Sequence, residues 1–301
     1  MSSRKTLIVV AGPTAVGKTA LAIEIAKHYH TQILSADSRQ CYKELNIGVA
    51  RPSPQELAAV PHHFIASHSI KDDINAAWYE AYGLDVLEKI FSEHPVAVVV
   101  GGTGLYIKAL TQGLDEIPPI PEDIRKGIAQ IYSAKGISWL QQELAEKDPL
   151  FDAHGEMQNP QRMMRALEVL TVTGKSILHY RSQTPKSRAF NTLLIGLQRP
   201  RQQLYDAINT RVLQMMQDGL MEEARGLIPY RHLNALQTVG YKEMFDFFDG
   251  NISLDRAIEL IQQNTRHYAK RQMTWFSKQP GIQWFEPQDF SEIVNYIDAL
   301  I

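Results

Sequence analysis

The chain predicts an α/β fold, a mostly parallel sheet covered by helices with a helical segment inserted into it. Three observations carry this reading. Buried-strand patterns alternate with helical ones over the first third of the chain. A glycine-flanked loop closes the first strand, and a strand pattern returns after a long helical stretch.

Thr6 to Ala11 is a short apolar run, as a strand buried on both faces requires. Gly12-Pro13-Thr14-Ala15-Val16-Gly17-Lys18-Thr19 follows, then Ala20 to Lys27 with apolar residues at helical spacing. Strand, glycine loop with Lys-Thr and helix is the context of a phosphate-binding loop. Gln32 to Ala36 predicts a second strand ending at Asp37, and His63-Phe64-Ile65 a further short one. Trp78 to Ile90 predicts a helix packing through Leu84, Leu87 and Ile90. Pro95 to Val100 is a strong buried strand, closed by Gly101-Gly102 and followed by a helix through Leu105 to Leu110.

Ile117-Pro118-Pro119-Ile120-Pro121 marks a boundary, because each proline restricts the residue before it. Beyond it the chain predicts helices to about Tyr180, with Trp139, Leu140, Leu144, Met163, Leu167 and Leu170 inward. Asn191 to Leu197 returns as a strand, and Arg201–Met216 and Leu254–Phe276 predict long helices. The expected division is residues 1–114 and 190–301 for the α/β core with its C-terminal helices, and 115–189 for the helical insertion.

Composition narrows the classes. Hydrophobic residues are 44% and charged residues 21% of 301, as in a soluble globular protein. Cys41 is the only cysteine, which excludes an intramolecular disulfide and a multi-cysteine zinc site; it suits a reducing compartment, and one thiol is equally compatible with other locations. After Arg4 and Lys5 the apolar run is too short to span a bilayer, so no signal or membrane segment is expected. The formal net charge of -2 hides an uneven distribution. Six Arg or Lys stand against Glu168 between Met157 and Arg188, and Arg266, Lys270, Arg271 and Lys278 face no acid between Leu260 and Pro280. Local basic faces of this kind hold nucleic acid, and they are also common as ordinary solvated helix surfaces.

Successive N–H groups of the loop can wrap a phosphate at a helix N-terminus, with Lys18 as a mobile cation and Thr19 as an oxygen donor to phosphate or Mg²⁺. Asp37 sits at the carboxyl end of a parallel strand, where α/β sheets place ligands. From position alone it could hold metal, act as a base or cap a turn. Thr103 occupies a similar rim position and could donate to a leaving oxygen or cap the next helix. Val96 to Val100 ends in Gly-Gly-Thr and lacks the acid with which ATP-hydrolysing proteins hold Mg²⁺, which weakens a motor or ATPase. A zincin motif and a nucleophile elbow are both absent.

The motifs together resemble the bacterial tRNA dimethylallyltransferase family, also called tRNA isopentenyltransferases. Beside the phosphate loop, the matching blocks are Ser35-Ala36-Asp37-Ser38-Arg39-Gln40-Cys41-Tyr42, Gly101-Gly102-Thr103-Gly104-Leu105-Tyr106 and the run from Asn159 to Val169. Gln237 to Glu243 and Thr265 to Phe276 complete the set. The resemblance implies a P-loop-kinase-like core and transfer of a dimethylallyl group from its diphosphate to N6 of adenosine 37 in tRNAs reading codons beginning with U. It implies Asp37 as base and Thr103 beside the reacting centre. Gly12, Pro13, Thr14, Ala15, Val16, Gly17, Lys18, Thr19 and Arg211 would hold the diphosphate; without the resemblance Arg211 would be read as solvated surface.

Mg²⁺ is the implied cation, on Thr19 and diphosphate oxygens. The implied tRNA contacts are Asp37, Ser38, Arg39, Gln40, Thr103, Arg125, Gln161, Arg162, Met163, Met164, Arg165, Gly240, Tyr241 and Lys242. A cytoplasmic monomer with no membrane partner is expected. Two positions depart from the common family pattern: Val16 stands where many members carry serine, and Arg39 where many carry methionine. The rival reading is a P-loop kinase of a nucleoside or small metabolite. It shares the loop but gives no role to the helical insert or the distal basic blocks. An enzyme making free cytokinin would need no tRNA-sized basic surface, and an RNA-binding regulator would not need Asp37 and Thr103 paired at the rim.

Overall fold

The computed structural model describes residues 5–181 and 184–301, so Arg4 lies outside the described residues. The chain forms two compact units: one runs to Gln112 and resumes at Ser187, and the other spans Gly113–Lys186.

The first unit opens with β1 (Thr6–Ala11), α1 (Lys18–His28), β2 (Ile33–Ser35), α2 (Pro54–Ala59), β3 (His62–His63), α3 (Ala76–Glu93), β4 (Val96–Gly101) and α4 (Gly104–Gln112). Six strands form one sheet in the order β3-β2-β4-β1, followed by β5 (Asn191–Leu197) and β6 (Ile282–Phe285). All the pairings are parallel. Side chains alternate along β1, so Leu7, Val9 and Ala11 enter one apolar core while Ile8 and Val10 enter the other. Both faces are therefore dry, which explains why the central strands read as unbroken apolar runs.

Strand β3 is shorter than the sequence suggests and ends before Phe64. Phe64 adopts a left-handed backbone (φ 65°), which breaks the ladder and turns its ring into an aromatic cluster with Trp78, Tyr79, Tyr82 and Tyr106. Tyr79 is fully buried and donates its hydroxyl to the Ser35 carbonyl at 2.9 Å, pinning the end of β2.

The topology decides where the motifs meet. β2, β4 and β1 are adjacent and parallel, so their carboxyl ends deliver Asp37, Thr103 and the phosphate loop to one rim. The β2 and β4 exits cross closely. The Ala36 N–H donates to the Val100 carbonyl at 2.7 Å, and the Thr103 N–H donates to the Ala36 carbonyl at 3.1 Å. A Cβ on Gly101 would stand 2.2 Å from the Ala36 oxygen, so this crossing requires glycine.

The second unit contains α5 (Glu122–Lys147, interrupted at Gly136), α6 (Pro149–His154) and α7 (Pro160–Thr173). Its core includes Ile120, Ile128, Leu140, Leu144, Phe151, Met163, Leu167 and Val169, with Trp139 and Leu170 half-buried against it. The break falls at 112/113 and 186/187 rather than 114/115 and 189/190. The proline-rich turn belongs to this unit because Ile117 and Ile120 pack in its core. Arg188 belongs to the first unit, where it pairs with Glu80 at 2.6 Å and donates to the Ala109 carbonyl at 2.7 Å.

The first unit resumes with β5, α8 (Arg201–Gln217), α9 (Leu220–Gly226), α10 (Tyr241–Phe248), α11 (Leu254–Phe276), β6 and α12 (Phe290–Asp298). Among the described residues no helix is long and apolar enough to cross a membrane.

Candidate active site

The loop between β1 and α1 is shaped by three left-handed residues, Gly12 (φ 149°), Ala15 (φ 63°) and Gly17 (φ 109°). Ala15 is an L-residue in a conformation that costs roughly 1–3 kcal/mol, as strained backbone at ligand sites commonly does. A Cβ on Gly12 would sit 2.7 Å from the Leu197 carbonyl, which makes that position glycine-only. Gly17 caps α1 without any side-chain bond, so no side chain closes this helix N-terminus against an anion. Val16 is fully buried in the sheet core beneath the loop, so its side chain serves packing.

Lys18 folds back and donates to the Pro13 carbonyl at 2.7 Å. Burial pulls its pKa down to about 7; Asp37 opposes the shift and Arg211 adds to it. Arg211, on α8, donates to the Thr14 hydroxyl at 3.3 Å and to the Ala50 carbonyl at 3.4 Å. Burial lowers its pKa too, yet a guanidinium starts so high that it stays charged. Two cations beside an open helix N-terminus describe an anion site.

A pH dependence follows. With a pKa near 7, Lys18 is about half neutral at neutral pH in the free protein. An entering anion favours the charged form, so binding takes up a proton and weakens as pH rises through 7, by at most about tenfold per pH unit. Calorimetry of diphosphate binding in buffers of different ionisation enthalpy should show proton uptake at pH 8 that Lys18→Met removes. Equal uptake in both proteins would assign the proton elsewhere.

Asp37 combines two of the roles its position left open. Its Oδ1 accepts the Arg39 N–H at 2.9 Å and the Gln40 N–H at 3.2 Å, so it caps the turn after β2. Those donors engage one oxygen only, which leaves Oδ2 for chemistry. The Thr103 Oγ1 accepts the Ser38 N–H at 3.1 Å and stands 3.4 Å from the Ser38 hydroxyl, rather than capping α4. Tyr268, on α11, lies close to the Thr103 hydroxyl. Lost hydration and then the Asp37 charge push the Tyr268 phenol up to about 12, so it remains protonated.

Two cavities meet here. One of about 360 Å³ is lined by Thr14, Lys18, Thr19, Asp37, Arg211 and Gln272 among others. The second, about 210 Å³, is walled by Ser38, Arg39, Val239, Gly240, Ile261 and Thr265 among others. Thr14, Asp37, Val49, Arg211 and Tyr268 line both, so the carboxylate sits where the two spaces adjoin.

The structure corrects two sequence-derived contacts and narrows a third. Met163 is completely buried in the core of the second unit, where helical periodicity placed it, so its side chain cannot meet a ligand. Tyr241 is also fully buried; its hydroxyl donates to Glu223 at 2.6 Å. Gln40 donates its amide N–H groups to the Val49 and Ala50 carbonyls at 3.2 and 2.9 Å, which leaves only its oxygen for a partner. Met164 and Arg165 are half-buried on α7, while Arg125, Gln161, Arg162 and Lys242 are exposed. Arg162 pairs with Glu156, and Arg165 with Glu168 at 3.1 Å.

Glu223 and His62 gave no sequence signal, and Gln272 stood out only as one member of the Thr265–Phe276 block. Glu223 accepts the N–H groups of Asn46, Ile47 and Gly48 at 2.8–3.1 Å and so holds the loop that carries Val49 and Ala50. Gln272 accepts the Thr14 N–H and donates to the Gly102 carbonyl, both at 2.9 Å. His62 bonds the Val60 carbonyl through Nδ1 at 2.8 Å, which fixes the proton on that nitrogen. Among the described residues no group of three or more His, Cys, Asp or Glu could hold a metal by itself. Thr19 in the wall of the first cavity suits Mg²⁺ only as a cation shared with ligand oxygens and water.

Fold and rim together define a P-loop α/β protein with an acid–hydroxyl pair beside its phosphate loop. A family model described as IPP transferase matches residues 40–279. The chain belongs to that family and is a transferase. It is 48% identical to a tRNA dimethylallyltransferase of Christiangramia forsetii over 98% of both chains. A tRNA dimethylallyltransferase of Bacteroides thetaiotaomicron is 45% identical, over 97% of this chain and 95% of the relative. Its fold matches that of the full-length tRNA isopentenylpyrophosphate transferase of Bacillus halodurans, with TM-score 0.73, 34% identity and coverage of 98% and 96%. A eukaryotic dimethylallyltransferase acting on tRNA superposes with TM-score 0.78 at 26% identity, over 96% of this chain and 75% of that one.

Proposed function

We propose that this protein transfers the dimethylallyl group of dimethylallyl diphosphate to N6 of adenosine 37 in tRNAs reading codons beginning with U, releasing diphosphate. The observation that carries the reading is Asp37 at the junction of two cavities, one holding the phosphate loop and the other walled by Ser38, Arg39 and Gly240. The names of its relatives support the same reaction.

The donor diphosphate lies along Gly12 to Thr19 with Lys18 and Arg211 on its charge. The adenine reaches Asp37 from the second cavity, flipped out of its stack because a stacked base cannot present N6 to a buried carbon. The C1–oxygen bond of the donor breaks with its electrons leaving on diphosphate, and a C1–N6 bond forms. N6 becomes acidic only as that bond forms, so Asp37 Oδ2 takes the proton then, without needing to be a strong base beforehand. The Thr103 hydroxyl, held by Ser38, stands beside the reacting centre, and Lys18 offsets charge as it grows on the leaving group. Thr19, together with diphosphate oxygens, would hold Mg²⁺, which would supply further neutralisation of that charge.

Arg125, Gln161, Arg162 and Arg165 of the helical unit, with Lys242 and the basic residues of α11, form the tRNA-contacting set. The Arg162 pair is solvent-accessible and weak, so phosphate exchanges for its carboxylate at little cost, whereas Arg165 is half-buried against a largely buried Glu168. Charge reversal at both should weaken tRNA binding and lower the salt slope by about 1–2. An unchanged slope in filter binding across salt concentrations would remove them from the interface. The protein acts in the cytoplasm as a monomer.

The test mixes purified protein, dimethylallyl diphosphate, Mg²⁺ and unmodified tRNA whose anticodon ends in adenine. Nucleoside mass analysis should show a five-carbon addition at position 37. Absence of that product, with turnover of ATP on a small acceptor, would replace this reading with a kinase.

A further inference from the structure

Helix α11 presents Tyr268, Gln272 and Trp275 on one face, at spacings of four and three residues. All three converge on Thr103. Tyr268 lies close to its hydroxyl, while Gln272 and Trp275 occupy the space that side chains at Gly102 and Gly104 would need. A Cβ on Gly102 would stand 2.1 Å from the Gln272 Nε2, and one on Gly104 would stand 2.2 Å from the Trp275 Nε1. The glycines flanking Thr103 are thus matched to the helix above them.

Gln272 is the only one of the three that also reaches the phosphate loop. Its amide is oriented without ambiguity: the Thr14 N–H can only donate and the Gly102 carbonyl can only accept, and each bond is 2.9 Å. The residue is 6% exposed, so both bonds are shielded from water. A chain of contacts therefore runs from Arg211 through the Thr14 hydroxyl, the Thr14 N–H, Gln272, Gly102 and Thr103 to Ser38, next to Asp37. It joins the side of the site that grips anion to the side that carries the base.

We propose that Gln272 is a positioning residue that sets the distance between the phosphate loop and Thr103. It acts through Thr103 on the transfer step and not on affinity for either substrate. This rests on the transfer reaction proposed above. Misplacing a reacting group by about 1 Å can cost about 100-fold in rate, which a severed clamp between two loops can produce.

Gln272→Glu keeps the shape and the acceptor for Thr14 but sets an oxygen against the Gly102 carbonyl. Single-turnover transfer at saturating donor and tRNA should fall about tenfold or more, with each dissociation constant within about threefold of wild type. In a Thr103→Ala background the same substitution should cost less than about twofold, since the group it positions is gone. A purely structural role would leave the full loss in that background, and this result, or a wild-type rate in Gln272→Glu alone, would overturn the proposal. Gly102→Ala tests the same contact from its other side and serves if Gln272→Glu fails to fold. It should slow the step about tenfold or more, yet add nothing to Gln272→Ala; a fully additive loss would equally overturn it. Product formation by wild type is scored separately, so failure of the transfer reading shows as no product in any protein.

Discussion

Asp37→Ala is expected to lower the transfer rate about 10²–10⁴-fold, the range of a well-placed general base, with tRNA affinity within about threefold of wild type. The carboxylate is the acid group shared by the two cavities, and in the proposed reaction its second oxygen takes the N6 proton. Alanine also removes the acceptor for the Arg39 and Gln40 N–H groups, so it loosens the turn as well as deleting the base. Asp37→Asn separates the two effects. Its amide oxygen keeps both backbone bonds, but the group cannot accept a proton. The expected result is that asparagine transfers nearly as slowly as alanine in single-turnover assays. Turnover of the asparagine variant near the wild-type rate would take Asp37 out of the chemistry and leave it as a turn cap.

Lys18→Met is expected to cost about 10²–10³-fold in transfer rate, the scale found when one preorganised donor to a developing anion is removed. Methionine keeps the length and apolar stem, so the loop retains its packing. Burial strips hydration from the ammonium, which is why the Lys18 pKa drops to about 7 in the free protein, and the same low-dielectric setting strengthens its attraction to an anion once one is bound. Arg211 remains on the same anion, so binding should suffer less than the rate. Donor affinity by calorimetry and single-turnover rates tell the two apart: a loss confined to affinity would make Lys18 a ground-state contact only. With Lys18→Arg, the fixed planar fork cannot reproduce the folded-back ammonium, so only partial rescue is expected.

The phosphate loop was legible because its chemistry is contiguous. A few consecutive residues, entered from an apolar strand and left through a helix, supply the N–H groups, the cation and the hydroxyl together. Asp37 and Thr103 were legible as rim positions, since each follows a strand pattern directly, though sequence left their roles open between capping and catalysis. Arg211 came only with the family resemblance; a basic residue on a polar helix otherwise looks like surface. Gln161 to Arg165 enters the tRNA-contact set as an unbroken block, and the block misleads at Met163. There the inward helical period, also visible in the sequence, is what packing obeyed.

By itself, then, the sequence determined the α/β alternation, the phosphate loop and the family, because these depend on neighbours within a few turns of chain. Tertiary structure alone decided that Asp37 stands at the junction of two cavities, that Tyr241 is a buried anchor, and that Gln272 ties Thr14 to Gly102 across separations of 258 and 170 residues. A parallel sheet joins residues far apart in the chain through strand order, and strand order is set by how both faces of the sheet bury their apolar side chains. No local pattern encodes that, which is why the groups that orient the chemistry emerged only once the chain was folded.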